Sequence, residues 1–356
     1  MKQDVEQRDV ERDAMTRFKV GVTRDMRGSD GRAIYPLDLL DQEPAVDWEF
    51  LPELTGELTA ADFQGCDAMI VEHPRVPAAA LATSDPPLLI ARTGVGVDGV
   101  DIEACTAAGV MVTTTPDSVR RPMASSAMAF LLALSHWLPQ RERSLRAGQW
   151  EIYGYIGTAL TGRTLGVLGA GNIGRDVCRL AAPFDMEMIA YDPYAKPFDG
   201  VTLVDLDTLL ERADFLVITC PLTKETYHLL DESRIAQMKP GAYVINVARG
   251  QIIDQSALTA ALADSRLAGA GLDVMEQEPI DPDDPLLALD NVILTPHGIG
   301  MNDEIMRVTG ESAARSVLEV ATGRRPQHLL NPGVLDHPRL RERFGAPEGD
   351  GAEHPR

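Results

Sequence analysis

A glycine-rich turn between two strand-like segments restricts the fold of this chain more than any other feature. Residues 169–174 read Gly-Ala-Gly-Asn-Ile-Gly and follow the apolar strand candidate Thr164–Leu168. Helical sequence continues over Ile173–Ala182, and the next strand candidate, Glu187–Tyr191, runs directly into Asp192. The six-residue motif alone is weak evidence, but in this context it is the signature of a dinucleotide-binding βαβ unit.

Each position of the turn has a physical reason to suit a dinucleotide. The first glycine permits a tight turn, the second lets the backbone approach a pyrophosphate, and the third lets the helix pack on the strand. The helix N-terminus offers amides and a positive dipole to the phosphates. Asp192 can accept hydrogen bonds from a ribose and would repel a 2′-phosphate, which favours NAD over NADP. The alternatives are a glycine turn without a ligand and an Asp192 that only ends its strand. The predicted cofactor-binding residues of this unit are Gly169, Gly171, Asn172, Ile173, Gly174 and Asp192.

Strand and helix candidates alternate along the rest of the chain. The strand candidates are Phe18–Val22, Asp67–Val71, Leu88–Ala91, Thr164–Leu168, Glu187–Tyr191, Phe215–Thr219, Ala242–Val247, Gly269–Val274 and Val292–Leu294. The helix candidates are residues 116–138, Ile173–Ala182, Leu206–Arg212, Ser256–Ala263 and Ile305–Thr322. Because strands that alternate with helices build parallel sheets, we predict an α/β fold with two doubly wound parallel-sheet domains.

The late position of the glycine motif predicts a discontinuous first domain. We expect a Rossmann-type dinucleotide domain inserted into a discontinuous substrate domain, with the last helix returning to the first domain. The predicted limits are 1–15 for a disordered leader, 16–115 plus 305–335 for the substrate domain, 116–304 for the NAD-binding domain and 338–356 for a disordered tail.

The charge balance limits the partners of this chain. The 54 Asp and Glu residues outnumber the 33 Lys and Arg residues, so the formal net charge is −21. We therefore expect neither nucleic acid nor a membrane surface as a partner. Cys66, Cys105, Cys178 and Cys220 show no paired spacing, which indicates buried free thiols in a cytoplasmic protein and no metal site.

Three side chains of complementary chemistry each follow one of the last three strand candidates. Arg249, Glu278 and His297 should therefore meet at one sheet edge, because parallel strands bind ligands at their carboxyl ends. Arg249 can grip a carboxylate through two hydrogen bonds. His297 can exchange a proton with a substrate oxygen, and Glu278 can hold its tautomer and favour its charged form. We predict that these three residues catalyse the reduction of a 2-keto acid. The alternatives are a surface arginine, a loop histidine and a solvated carboxylate.

Eight motifs, the glycine turn among them, occur in the order found in one enzyme family. They are Thr93–Asp98 (TGVGVD), Gly109–Pro116 (GVMVTTTP), Gly169–Gly174, Cys220–Thr223 (CPLT), Asn246–Gly250 (NVARG), Gly271–Val274 (GLDV), Glu278–Pro279 and Thr295–His297 (TPH). Over roughly residues 65–333 the chain resembles the D-isomer-specific 2-hydroxyacid dehydrogenases, which include hydroxypyruvate or glyoxylate reductases and phosphoglycerate dehydrogenases.

The resemblance implies NAD-dependent interconversion of a 2-keto acid and a D-2-hydroxy acid. It implies Arg249 as the binder of the substrate carboxylate and carbonyl, Glu278 as the partner of His297, and His297 as the acid and base. It also implies substrate binding by backbone amides near Val95 and Gly96, and a homodimer formed through the dinucleotide domain. The further cofactor contacts expected are Cys220, Pro221, Ala248, Asp273 and His297.

Two segments depart from the usual family pattern, and they leave the substrate open. One contains Arg120 and Arg121, where the family usually has small or neutral residues, and the other is Gly298–Glu304. One of the two arginines could bind a hydroxyl, carboxylate or phosphate at the far end of the substrate. Alternatively, both lie at a helix start and pair with carboxylates of the protein. Phosphoglycerate, hydroxypyruvate, glyoxylate and longer sugar acids all remain possible substrates.

Two other functions fit the same scaffold. One is a non-catalytic, NAD-sensing corepressor, for which the sequence offers no partner-binding tail. The other is a formate or phosphite dehydrogenase. Formate enzymes of this kind carry Gln in the role of Glu278, so this residue argues against formate.

Overall fold

This computed structural model describes residues 17–344. These residues contain two separate parallel sheets. One unit holds the chain up to Ser118 and from Asp303 onward, and the other holds Val119–Asn302. The predicted α/β fold with two doubly wound parallel-sheet domains is confirmed. The leader predicted at residues 1–15 lies outside the described residues.

The sheet of the first unit has five parallel strands in the order β2-β1-β3-β4-β5. The strands are β1 (Phe18–Val22), β2 (Val46–Phe50), β3 (Ala68–Val71), β4 (Leu89–Arg92) and β5 (Met111–Thr113). β3 is apolar throughout because helices and loops cover both faces of a parallel sheet. The sequence prediction missed β2 and β5, and β2 lies at the sheet edge, where acidic residues alternate with its apolar ones.

The sheet of the second unit has seven parallel strands in the order β12-β11-β10-β9-β6-β7-β8. The strands are β6 (Thr164–Leu168), β7 (Glu187–Tyr191), β8 (Thr202–Leu203), β9 (Phe215–Ile218), β10 (Tyr243–Asn246), β11 (Gly269–Leu272) and β12 (Val292–Leu294). Chain order reverses between the neighbouring strands β6 and β9. In doubly wound sheets this topological switch point opens the crevice in which ligands bind.

Helices cover these sheets, and their bounds correct one prediction. They are α1 (Asp38–Asp41), α2 (Ile102–Ala107), α3 (Pro116–Ser135), α4 (Leu138–Arg146), α5 (Asn172–Ala181), α6 (Leu206–Arg212), α7 (Glu232–Gln237), α8 (Gln255–Ala263), α9 (Asp303–Ala321) and α10 (Pro338–Phe344). The single helix predicted at residues 116–138 ends at Ser135, because Trp137 adopts a left-handed conformation (φ 54°) before α4 begins. Among the described helices, none has both the length and the apolar character that crossing a membrane requires.

The prediction of a disordered tail from residue 338 is wrong for its first seven residues. α10 packs Leu340 and Phe344 into the core of the first unit, where both side chains are buried. The composition of this tail suggested disorder, but two apolar residues at a spacing of four give one helical face something to bury. Residues 345–356 lie outside the described part of the chain.

The cysteines are free thiols, as predicted, but the predicted burial is wrong for Cys66, which is only partly buried in the loop before β3. Burial raises the pKa of Cys105, Cys178 and Cys220 to about 12. These thiols therefore stay protonated near neutral pH and are poor nucleophiles.

Candidate active site

The glycine turn lies at the switch point of the seven-stranded sheet and can only be built from glycine at two positions. Gly169 has φ 99°, and a Cβ there would lie 2.5 Å from the backbone nitrogen of Cys220. A Cβ on Gly174 would lie 2.1 Å from the carbonyl oxygen of Gly169. Gly171 faces open space, since no atom lies within 4 Å of the position of a Cβ. The turn therefore packs tightly toward the protein and leaves its middle glycine open to a ligand.

The N-terminus of α5 begins directly at this open glycine. Gly171 is the N-cap of the helix and has no side chain with which to cap it. The amides that follow, beginning at Asn172 and Ile173, are therefore available to an external acceptor. A pyrophosphate suits this position, because it is a strong acceptor and its negative charge is stabilised by the helix dipole.

The side chain of Asp192 is hydrogen-bonded to the glycine turn. Its Oδ2 accepts a hydrogen bond from the amide of Ala170 at 2.9 Å, and its Oδ1 accepts one from the amide of Tyr194, also at 2.9 Å. The guanidinium of Arg175 lies on the other side of the turn, where its Nε donates to the carbonyl of Ala170 at 2.9 Å. The sequence prediction missed Arg175, although its place immediately after the last glycine of the motif was a usable signal.

Arg249 lies in a tightly fixed turn after β10. The side chain of Asn246, which is 1% exposed, donates to the carbonyl of Arg249 at 2.9 Å and accepts from the amide of Ala248 at 3.0 Å. Gly250 packs directly on the next loop, since a Cβ there would lie 1.9 Å from the carbonyl carbon of Met275. The predicted position of Arg249 at the carboxyl edge of the sheet is therefore held from both sides.

His297 and Glu278 form a hydrogen-bonded pair. Nδ1 of His297 lies 2.8 Å from Oε2 of Glu278, while Oε1 accepts the amide of Met275 at 2.9 Å. An ionised carboxylate can only accept, so Nδ1 carries the hydrogen and Nε2 is left for exchange with a substrate. The two side chains are 47% and 37% exposed, so a small molecule can reach them.

The ionised form of Glu278 is the favoured one. Burial alone would raise its pKa, but hydrogen bonds from His297 and the Met275 amide, with the charges of His297 and Arg249, bring the pKa below its usual value. A carboxylate that stays ionised keeps Nδ1 of His297 protonated and stabilises the imidazolium.

Asp273 holds the loop that carries His297. Its side chain is 2% exposed, and its carbonyl accepts the amide of His297 at 2.7 Å. Its Oδ1 accepts three hydrogen bonds, from Thr295 Oγ1 at 2.6 Å, from the amide of Gly298 at 2.8 Å and from the amide of Ile299 at 3.0 Å. These contacts explain how His297 maintains φ 51°, which few residues with a side chain adopt. The predicted contact of Asp273 with a cofactor stays a prediction.

Arg120 and Arg121 bind a carboxylate of the protein. Nη1 of Arg120 and Nη2 of Arg121 lie 3.3 Å and 3.1 Å from Oδ1 of Asp176, which is 3% exposed. Nε of Arg179 lies 3.0 Å from the same oxygen. A buried carboxylate needs such partners. These contacts support the alternative in which both arginines pair with the protein, and the predicted role at the far end of a substrate stays a prediction.

Val95 and Gly96 lie in the loop after β4 in the first unit. Gly96 borders a pocket of about 160 Å³ that is also lined by His73, Arg75 and Arg92. Nδ1 of His73 donates to Oδ2 of Asp25 at 2.8 Å, and this hydrogen bond raises the pKa of His73. The sequence prediction missed His73 and Arg75, whose only signal was their position after a parallel strand. The remaining predicted contacts, Pro221 and Ala248, lie after β9 and β10 in the second unit.

Comparisons with known proteins identify the family of this chain. Residues 128–298 match the family model described as "D-isomer specific 2-hydroxyacid dehydrogenase, NAD binding domain". The glyoxylate reductase of Korarchaeum cryptofilum is 39% identical over 255 residues, which cover 69% of this chain and 77% of that protein. The D-3-phosphoglycerate dehydrogenase of Methanocaldococcus jannaschii is 40% identical over 248 residues, or 68% of this chain and 47% of that protein. The chain thus spans about half the length of the second relative.

A solved structure gives the same result for the fold. The structure of the TT0316 protein from Thermus thermophilus has a TM-score of 0.78 and 34% identity to this chain. The match covers 88% of this chain and 99% of that one.

Proposed function

Since this chain belongs to the D-isomer specific 2-hydroxyacid dehydrogenase family and is an NAD-dependent oxidoreductase, we propose that it interconverts a small 2-keto acid and the D-2-hydroxy acid through His297, Glu278 and Arg249. The observation that carries this proposal is the 2.8 Å hydrogen bond between Nδ1 of His297 and Oε2 of Glu278. It assigns the imidazole one tautomer and places a stable negative charge beside it.

The protein groups divide the work of the reaction. The Gly169–Gly174 turn and Asp192 would hold NADH, which would supply the hydride for the keto carbon. Nε2 of His297 gives its proton to the carbonyl oxygen, and Glu278 stabilises the imidazolium before that transfer. Arg249 binds the carboxylate of the substrate and favours the negative charge that grows on the carbonyl oxygen. In the oxidative direction neutral His297 takes the proton back, so the two directions should respond to pH in opposite ways.

We further propose that the amides at Val95 and Gly96 bind the substrate carboxylate. The pocket beside Gly96 supports an anionic ligand, because Arg75, Arg92 and His73 line it against one carboxylate, that of Asp98, in a chain whose net charge is −21. Arg120 and Arg121 are left out of this site on account of their contacts with Asp176.

The test is turnover of NADH with a panel of 2-keto acids. Glyoxylate, hydroxypyruvate and phosphohydroxypyruvate represent the three sizes that the family relatives suggest. The His297→Ala variant is the matched control, and we expect it to lose about 10²–10⁴-fold in kcat, the usual contribution of general acid catalysis. If the native chain turns over none of these acids faster than the control, the proposed function is wrong.

We also propose a homodimer formed through the dinucleotide domain. Six large apolar side chains of that unit, within and after α4, are more than half exposed: Leu138, Leu145, Trp150, Ile152, Tyr153 and Ile156. A cluster of this kind usually marks a protein interface. Light scattering should give twice the chain mass, and Ile152→Glu with Ile156→Glu should give monomers. A monomeric native chain at high concentration would contradict the dimer. A cytoplasmic location remains a further proposal, which cell fractionation would test.

A further inference from the structure

We propose that Glu276 and His228 form a brace that positions Arg249 relative to the pair of His297 and Glu278. This inference rests on the proposed function, because it assigns a role to two residues that stand behind the three reacting groups. Glu276 and Glu278 lie two residues apart on one loop, and each is hydrogen-bonded to a histidine. Only Glu278 is bound to His297, so other contacts must hold the carboxylate of Glu276 away from this pair.

The polar groups of Glu276 are each bound within the second unit. Oε1 lies 2.8 Å from Nε2 of His228, and Oε2 accepts the backbone amide of Gln255 at 3.0 Å. The backbone amide of Glu276 donates to Oε1 of Gln255 at 3.0 Å, and its carbonyl accepts from Nε2 of Gln251 at 2.7 Å. The carboxylate thus lies at the N-terminus of α8, where the helix dipole stabilises a negative charge.

These contacts join the loop of Glu278 to the loop of Arg249. Gln251 lies two residues after Arg249, and Glu276 lies two residues before Glu278. Between them, Gly250 packs against the carbonyl of Met275, where a side chain would not fit. The amide of Met275 in turn donates to Oε1 of Glu278 at 2.9 Å. A shift of Glu276 would therefore move both the guanidinium and the carboxylate that orients His297.

His228 adds a third loop to the brace. It follows β9, and its amide donates to the carbonyl of Gln251 at 2.8 Å. Its backbone is left-handed, with φ 47°, and its ring stacks on Tyr227 at 4.2 Å between centroids. The imidazole and Glu276 are 30% and 32% exposed, so their hydrogen bond is partly shielded from water. Three loops that follow β9, β10 and β11 are thus tied at one point behind the site.

The direct test is a set of variants measured with NADH and the best keto acid of the panel. In Glu276→Ala, a displacement of about 1 Å at the reacting groups should lower kcat/KM for the keto acid about 10²-fold. The KM for NADH should stay within about twofold, because none of the hydrogen bonds described for Glu276 and His228 goes to the glycine turn. Glu276→Gln should recover most of the activity. Its carbonyl can accept from the amide of Gln255, and its NH₂ can donate to His228 in the other tautomer.

A matched control comes from the other unit. The side chain of His328 is 31% exposed, and its Nε2 lies 3.3 Å from Oδ2 of Asp117. Its backbone has φ 56°, so His328 resembles His228 in exposure, conformation and pairing. His228→Asn should raise the KM of the keto acid, while His328→Asn should leave it within about twofold, since Asn tolerates a positive φ in both places. Titration of NADH fluorescence counts the folded sites in every variant.

The outcomes separate the brace from a general fold defect and from the proposed function. The brace is supported if Glu276→Ala keeps one NADH site per chain and loses keto-acid kcat/KM. It is overturned if Glu276→Ala keeps keto-acid turnover, if NADH sites and kcat fall in equal proportion, or if Glu276→Gln is as impaired as Glu276→Ala. A native chain that binds NADH but turns over no keto acid overturns the proposed function and, with it, the brace.

Discussion

Replacing Asp273 by Ala measures how far the position of His297 depends on one buried carboxylate. Asp273 is 2% exposed and accepts hydrogen bonds from Thr295 at 2.6 Å, Gly298 at 2.8 Å and Ile299 at 3.0 Å, all on Oδ1. A hydrogen bond to a charged group contributes about 1.5–3 kcal/mol. The three donors are only partly buried, so water can reach some of them after the change.

We therefore expect a loss of about 3 kcal/mol in the free energy of unfolding for Asp273→Ala, rather than the sum of three bonds. Asp273→Asn retains an accepting oxygen and should lose about 1 kcal/mol. Because Oδ1 of Asp273 binds the loop on both sides of His297, removing this carboxylate should free the loop and lower kcat/KM for the keto acid about 10²-fold.

Urea unfolding measures the loss in the free energy of unfolding, and steady-state kinetics measure the loss in kcat/KM. Asp290 is a suitable control, because it is 83% exposed and pairs with Arg143 at 3.0 Å on the surface. Asp290→Ala should cost less than about 1 kcal/mol, as exposed ion pairs do. If Asp273→Ala unfolds at the same urea concentration as the native chain, or if the Asn variant loses as much as the Ala variant, the reasoning is refuted.

Three further outcomes follow from the site. The pKa of Glu278 is lowered, so the advantage of the native chain over Glu278→Gln in kcat/KM should persist as pH falls to 4.5, the ordinary value for Glu. This advantage in kcat/KM should be lost only below pH 4.5, and a loss already near pH 6 would contradict the pairing of Glu278 with His297. Asp192→Ala should narrow the preference for NADH over NADPH, measured as the ratio of kcat/KM, and a native preference for NADPH would show that Asp192 has another role. Arg121→Ala should leave the ranking of keto acids unchanged while lowering stability by about 1–3 kcal/mol in urea unfolding, because Asp176 is buried. A changed ranking would return Arg121 to the substrate site.

The fold could be predicted where the sequence pattern is local. Thr164–Leu168, Glu187–Tyr191 and Val292–Leu294 are the strands expected at those residues, because each is a short apolar run bounded by polar residues or turns. β2 and β8 were missed because they are edge strands without a strong pattern: β2 turns one face to the core, and β8 has only two residues, neither of them buried. α10 was missed because its burial depends on the distant core of the first unit.

The sheet edge at which the candidate catalytic residues lie could be predicted for a different reason. Arg249, Glu278 and His297 all follow parallel strands, and the carboxyl ends of such strands share one edge whatever the loops contain. The residues that hold them could not be predicted in the same way. Glu276, His228 and Gly250 act through contacts between loops, and no periodicity in the sequence records which loops touch.

Burial explains why some charged residues of the motifs bind other groups of the protein. Asp273 lies in a family motif that suggested a cofactor contact, yet its buried Oδ1 is occupied by three donors of the loop that carries His297. Arg120 and Arg121 occupy a departure from the motif that suggested a substrate contact, yet they lie against the buried Asp176. Burial of a carboxylate is unfavourable in free energy unless hydrogen-bond donors surround it. Donors beside a buried carboxylate are therefore bound to it even when no ligand is present. Because sequence patterns reveal the charge of these residues but not the burial of their neighbours, these contacts within the protein had to be read from the structure.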